Sequence, residues 1–495
     1  MKRFRIFLVN GLILTATSFL MRLIGFSFNI YISKKVGSEA LGVFSLIMSV
    51  YLFFITLATS GINLAVTRII VEKTTFCENA NTKNAMRKCF LYSLIFGTIS
   101  CISLCLLAKP ITYYFVHNRV SHYLFYFIAI SLPFISLSSC LNGYFTALRK
   151  NGKNATSRIF EQTLKILATS YFLSFFMPSG IYYACLSLVL GEMISEIGSF
   201  LFTYVLYKLE IRKHLVNQKE NSNYFKTILS ISLPVAITSY IRSGLSSLKQ
   251  LLIPVRLEKS GLTCSEAISS YGLISAMTMP ILMFPEVIIN SFSGLVIPEY
   301  AYYDTKKAHS KITYATEKIF RITFLFSIGV FGIFLFYAKE ISYAIYQNFS
   351  IASYLKILAP LIFFIYLDGI IDNILKGLNQ QLEVMKCNIL DLFSSIFFIY
   401  FLLPILGLNG YILIIYFSEL LNFSISFYQL KKLTHFKIDF INWLVKPFLG
   451  VTFSFLICKL FVSTLSLTMS SIIFQIIMFI CGYFTFLVLS KSLKV

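Results

Sequence analysis

Apolar residues run along this chain in long blocks separated by short clusters of charge, Gly and Pro. A bilayer requires about 20 mostly apolar residues per helix, and breaking the chain at those clusters predicts fourteen spans. They run over 5–33, 38–71, 86–108, 121–148, 155–177, 181–207, 226–256, 265–297, 317–338, 352–375, 383–403, 408–430, 441–464 and 468–490. The first block follows Lys2, Arg3 and Arg5 as a signal peptide would, yet it continues past residue 30 without a small-residue cleavage site. It reads as a first transmembrane helix.

The blocks repeat. SEALGVFSLI at 38–47 matches SEAISSYGLI at 265–274 with five identities and Phe44 opposite Tyr271, an offset of 227 residues. The same offset pairs Pro133 with Pro360, Leu148 with Leu375, Gly180 with Gly407, Glu192 with Glu419 and Phe200 with Phe427. A unit of six helices, an even number, enters the membrane in the same sense each time. The copies are therefore parallel repeats about an axis along the membrane normal, an arrangement found in transporters that bind substrate near the midplane and alternate access. The expected architecture is all-α and integral to the membrane: a six-helix lobe over 1–207, a cytoplasmic linker over 208–223, a second six-helix lobe over 224–430, and an unrepeated helix pair over 431–495.

Composition supports the membrane reading. Of 495 residues 57% are hydrophobic and 13% charged, and the mean hydropathy is +0.77; soluble domains carry about 25% charged residues. The net charge of +22 gains its meaning from location. With the N-terminus inside, the outer loops hold only Lys34, Lys35, Lys109, Arg119, Arg256, Lys259, Lys339 and Lys356, and inner-side Lys and Arg outnumber them more than three to one. That bias follows the positive-inside rule and predicts both termini in the cytoplasm. Most of the charge is thereby assigned to topology, and nucleic acid is not expected as a partner. The ten cysteines form no CxxC pair and no metal-ligand spacing. No HExxH, phosphate-binding loop or GxSxG with a partner histidine occurs, so neither enzyme chemistry, a metal nor a cofactor is expected.

Six bases remain inside predicted spans: Arg22, Arg68, Lys165, Arg242, Lys249 and Lys459. Each costs at least about 2.5–3.5 kcal/mol near the bilayer centre, so such residues usually face protein or water and mark function. Arg22 and Arg242, in repeat-partner helices one and seven, are equivalent to within a residue when Thr17-Ser18 is set against Thr238-Ser239. Arg242, Lys249 and Arg256 recur every seven residues, nearly two turns, and share one stripe; Thr15, Arg22 and Asn29 repeat the spacing in helix one. These residues suit a positively walled cavity for an anionic group such as pyrophosphate, which Arg grips bidentately; the opposing account has Lys249 and Arg256 snorkelling outward and Arg242 paired with an acid. Arg68 and Lys165 have a similar choice between substrate and inward snorkelling, and Lys459 fits a lipid headgroup. The repeated acids Glu192 and Glu419 are candidates for ion coupling or for structural pairing, and Glu161 with Lys165 reads as an i, i+4 pair. Pro280 and Pro285 bracket the middle of helix eight as a candidate hinge.

The runs NGYFTALRKNGKNATSRIFEQTLK (142–165), LLIPVRLEKSG with SEAISSYGLI (251–274), PEVIINSFSGLVIPEYA (285–301) and ILKGLNQQ (374–381) together resemble the stage V sporulation protein B group of Firmicutes. That group lies in the polysaccharide-transporter branch of the multidrug/oligosaccharidyl-lipid/polysaccharide flippase superfamily. The resemblance implies a fourteen-helix fold with two lobes, a role in spore cortex peptidoglycan synthesis and kinship with lipid II flippases. Arg22, in MRLIGF, matches the first cavity arginine of the lipid II flippase pattern; the second falls at Phe28, which is uncharged, leaving Lys249 or Arg68 to substitute. The expectation is a plasma-membrane flippase for an undecaprenyl-pyrophosphate-linked glycan, with membrane lipids and cell-wall synthesis enzymes as further partners, in forespore or mother-cell membranes. A cation-coupled drug antiporter using Glu192 and Glu419, or a non-transporting scaffold for cortex synthesis, are the alternatives.

Overall fold

The computed structural model describes residues 2–76, 82–115, 121–176, 180–211, 224–461, 469–490 and 492. Among them the regular structure is entirely helical. Two compact units form, one from residues 1–28 and 36–272 and one from 29–35 and 273–495.

The first unit contains most of α1 (Lys2–Thr59), α2 (Ile62–Phe76), α3 (Thr82–Phe115), α4 (Tyr123–Ala129), α5 (Leu132–Ala147), α6 (Asn151–Phe176), α7 (Ile181–Ile211), α8 (Tyr224–Glu258) and α9 (Cys264–Tyr271). Its core gathers Ile62, Val66, Met86, Tyr144, Phe145 and Tyr207. Small residues bring the helices close, as expected where lipid supplies no hydrophobic drive between them. A Cβ on Gly97 would meet Pro133 Cα at 2.8 Å, and one on Gly143 the Asn63 carbonyl oxygen at 2.8 Å. Buried hydroxyls add cross-links, Ser136 donating to the carbonyls of Ser93 (2.6 Å) and Ala58 (2.9 Å) and Ser100 to that of Phe54 (2.6 Å). The repeated segments meet here: Ser38 and Ser269 hydroxyls lie 2.7 Å apart, and a Cβ on Gly272 would fall 2.1 Å from the Ser38 carbonyl oxygen. The buried Glu210 carboxylate pairs with Lys150 and Lys153, fastening the turn after α5 to the end of α7.

The second unit contains α10 (Met279–Met283), α11 (Glu286–Thr305), α12 (His309–Phe336), α13 (Ala338–Tyr346), α14 (Ala352–Leu358), α15 (Leu361–Gly377), α16 (Gln381–Thr434), α17 (Lys446–Phe461) and α18 (Met469–Leu489). Gly377 lets α15 approach α11, where a Cβ would stand 2.9 Å from the Ile297 carbonyl oxygen. The unrepeated pair α17 and α18 docks on α12 through Gly329 and Gly332, which face Tyr483, Val451 and Phe479. Tyr483 donates to the Leu325 carbonyl at 2.8 Å, and Phe336 stacks on Phe455.

Eight described helical stretches are long and apolar enough to cross a membrane, or nine when α14 and α15, bent by 57°, count as one. Two of them, Phe19–Glu72 and Gln381–Thr434, have 54 residues each. At 1.5 Å per residue such a stretch reaches about 80 Å, over twice the hydrocarbon thickness of about 30 Å. Gly37 (φ 82°) breaks the first and Gly407 (φ 55°) the second, where the sequence places span boundaries. The described α6 and α8 fall outside the apolar set, and both carry the intramembrane charges discussed below. Within the predicted spans the structure adds breaks: at Gly61 (φ 76°), at Ile130–Ser131 one turn before Pro133, at Ala359–Pro360, and through a π-helical stretch Gly272–Thr278. It also adds the short α13, which the hydropathy blocks did not predict. Helix α7 extends to Ile211, so the first four residues of the expected linker are helical; 212–223 lie outside the described residues.

Candidate functional site

Helix α8 is oriented by a face of small polar residues. Ser232 lies 3.0 Å from the Tyr92 hydroxyl, Tyr240 donates to the Leu57 carbonyl (3.2 Å), Thr56 donates to the Ser243 hydroxyl (3.1 Å), and Ser247 donates to the Ser49 carbonyl (2.5 Å). Gly61 permits this approach, since a Cβ there would sit 2.6 Å from Ser232 Cα. With that face fixed, Arg242 is turned outward and exposed, whereas Lys249 and Arg256 along the same stripe are half-buried. Arg22, on α1, is exposed too. Neither Arg22 nor Arg242 has a salt-bridge partner among the described residues. The first unit contains both.

The other candidates separate from that pair. Arg68 pairs with Glu72 at 2.9 Å, with both side chains more than half exposed; an i, i+4 pair of this kind contributes about 0.3–0.5 kcal/mol. Asn29 accepts a hydrogen bond from Ser33 (3.2 Å) and belongs to the second unit. Pro280 is the second residue of α10, and Pro285 precedes α11. The carbonyls freed by these breaks are met by tyrosines: Tyr346 donates to Met277 (3.3 Å) and the fully buried Tyr366 to Leu282 (2.7 Å). Lys459 is exposed.

Lys165 does not snorkel. Its ammonium pairs with the buried Glu192 across α6 and α7, while Glu161, its expected helical neighbour, accepts instead from Ser199 (2.8 Å). The two helices meet so closely that a Cβ on Gly191 would overlap Thr169 Oγ1 at 1.9 Å. Glu161 and Glu196 lie within electrostatic reach of the same ammonium. In the second unit two of the acids are met by neutral donors and a third by a lysine. Asp391 accepts from Ser418 (2.6 Å) and Ser395 (3.4 Å), and Asp368 accepts from Asn422 (2.8 Å); Asp372 pairs with Lys376 (3.3 Å). Glu419 is half-buried. Among the described residues no group of three His, Cys, Asp or Glu side chains has an arrangement that would hold a metal ion. The Lys165–Glu192 pair escaped the sequence reading because the two residues belong to different helices. One trace of the site was present: Ser199 and Ser426 obey the same 227-residue offset as Glu192 and Glu419, and both serines are buried.

An all-helical, multi-pass membrane protein of this build has the fold of the multidrug/oligosaccharidyl-lipid/polysaccharide transporters. The lipid II flippase MurJ in an inward closed conformation superposes with a TM-score of 0.68 at 15% identity, covering 96% of this chain and 98% of that one. An inward-facing multidrug resistance MATE transporter of the same superfamily gives 0.63 at 14% identity, covering 84% and 96%. The family model described as polysaccharide biosynthesis protein matches residues 7–303, and the chain belongs to that family. It is 24% identical to stage V sporulation protein B of Bacillus subtilis (strain 168) over 412 residues, which are 82% of this chain and 79% of the relative. Both superposed structures are named as transport proteins, a lipid II flippase and a multidrug resistance transporter.

Proposed function

We propose that the chain is an alternating-access flippase that carries an anionic lipid-linked cell-wall precursor from the inner to the outer leaflet. One observation carries the reading: Arg22 and Arg242, on repeat-partner helices and equivalent to within a residue when Thr17-Ser18 is set against Thr238-Ser239, are exposed and have no ion-pair partner among the described residues. A guanidinium inside a membrane is retained where it meets protein, water or an anion, and paired guanidiniums match the oxygens of a pyrophosphate. Lys249 and Arg256 extend the positive stripe. The glycan crosses in water while its polyprenyl tail stays in lipid. Outward movement of an anion runs with an inside-negative potential, by about 2.3 kcal/mol per charge per 100 mV, so no nucleotide is needed. The Pro280–Pro285 stretch is the candidate hinge for alternating access.

Similarity to stage V sporulation protein B and to MurJ, whose name states lipid II flipping, supports a lipid II-like substrate and a place in spore cortex synthesis beside cell-wall enzymes. The positive-inside bias supports cytoplasmic termini. Glu192 and Glu419 are the positions at which ion coupling would act, with Lys165 supplying a built-in positive charge at the first. The test is surface exposure of lipid II in cells depleted of other flippases. The intact protein restores exposure, and Arg22→Ala and Arg242→Ala each reduce it at least tenfold, about 1.4 kcal/mol, with unchanged protein level. Full transport by both variants refutes the basic site.

A further inference from the structure

The second unit holds an aromatic pocket that the flippase reading does not use. Phe324, Phe363, Phe364, Phe423, Phe427 and Leu444 enclose about 280 Å³ without a polar side chain in the wall. It draws on α12, α15, the second half of α16 and the stretch that begins α17's approach. Phe363, Phe364, Phe423, Phe427 and Leu444 are only half-buried, and Phe440 at its mouth is 66% exposed. The pocket is therefore open at the surface of the unit.

Its mouth lies beside a concentration of positive charge. Phe423, Phe427 and Lys431 follow one another at four-residue intervals on one face of α16. Lys431 and Lys432 are exposed in its last turn, and exposed Lys437 directly precedes Ile438, another lining residue. The acids of this end are engaged: Asp439 accepts from the backbone N–H of Asn442 (3.1 Å) and from its side-chain amide, and Glu317 accepts from the backbone N–H of Lys437 (3.0 Å). Those hydrogen bonds hold the Asp439 carboxyl below the usual carboxylate range. By charge bias this is the cytoplasmic end, so apolar walls sit at acyl depth and ammonium groups at headgroup depth.

We propose that this pocket is a binding site for an anionic phospholipid of the cytoplasmic leaflet, with one acyl chain among the phenylalanines and the phosphate against Lys431, Lys432 and Lys437. Basic clusters flanking transmembrane helices on this side characteristically hold anionic headgroups. The volume falls just below the roughly 300–1,000 Å³ range of ligand pockets, which suits part of one acyl chain rather than a long polyprenyl tail. The site rests on the membrane topology and is independent of which substrate is flipped.

Native mass spectrometry of the purified full chain in detergent, supplied separately with phosphatidylglycerol, phosphatidylcholine and undecaprenyl phosphate, tests it. Phosphatidylglycerol is retained above phosphatidylcholine, and Lys431→Ala and Lys437→Ala each lower that preference by about fivefold. Leu444→Trp, which fills the pocket, loses phosphatidylglycerol; Leu444→Met, which keeps the volume, retains it and controls for folding. Equal retention of the two phospholipids, unchanged binding by Leu444→Trp, or a preference for undecaprenyl phosphate overturns the proposal. Lipid II exposure measured on the same variants separates this outcome from that of the flippase reading.

Discussion

Replacing Lys165 with Met removes the ammonium from the α6–α7 interface and leaves Glu192 beside Glu161 and Glu196. The two partners retain only 27% and 10% of their side-chain exposure, so solvent compensates little. Breaking a buried pair from one side costs about 3–5 kcal/mol, mostly as the stranded charge. At roughly 2 °C per kcal/mol for a unit of this size, the melting midpoint falls by about 6–10 °C. Glu192→Gln strands the ammonium less completely, because Glu161 and Glu196 remain near it, and costs less. The double variant Lys165→Met, Glu192→Gln recovers much of the loss, since the two changes act on one interaction. A thiol-reactive dye reads the transition through Cys140 and Cys185, both fully buried in the first unit. Strictly additive losses, or a Lys165→Met protein as stable as the parent, would refute an energetically coupled pair.

Gly191→Ala places a methyl group on Thr169; overpacking of this kind costs about 1–3 kcal/mol, and the same dye assay should register it, with Thr169→Ala relieving part of the loss. Tyr366→Phe leaves the buried Leu282 carbonyl beside Pro285 without its donor, a penalty of about 1–3 kcal/mol, visible as a lower midpoint with trafficking intact. Arg68→Ala removes only an exposed helical pair and should change stability by under about 0.5 kcal/mol; a large drop in lipid II exposure with that variant would move Arg68 into the substrate path.

The all-helical, membrane-spanning character was legible because a bilayer enforces long apolar runs, and Gly37 and Gly407 were legible because positive φ favours glycine. The 227-residue repeat was readable from SEALGVFSLI and SEAISSYGLI alone, and the structure adds that these two segments touch through Ser38, Ser269 and Gly272. What stayed hidden depends on pairing between distant segments. Nothing local in FEQTLK marks Lys165 as the partner of Glu192 rather than Glu161; only the docking of α6 on α7 decides it. The tyrosines that cap Met277 and Leu282 come from 69 and 84 residues away, and the π-helical stretch that holds Met277 has no signature in hydropathy. The short α13 is missed for the opposite reason, being amphipathic and too brief to interrupt the pattern.

Charge placement also separates the flippase from the cation-coupled antiporter. In the first unit the carboxylates that would receive a cation surround Lys165, an ammonium the chain itself supplies, while the arginines Arg22 and Arg242 are exposed. An exchanger of cations needs the reverse, open carboxylates and neutralised bases, because a like-charged site raises the cost of its own cargo. The sign of these groups is the one that the proposed anionic substrate requires. The contrast is measurable with one pair of variants in one strain: Arg22→Glu with Arg242→Glu should abolish lipid II exposure without conferring resistance to cationic dyes in the parent, whereas an antiporter would lose dye resistance on Glu192→Gln and keep it on Arg22→Ala. Dye resistance that follows Glu192 and ignores both arginines would sink the anionic assignment.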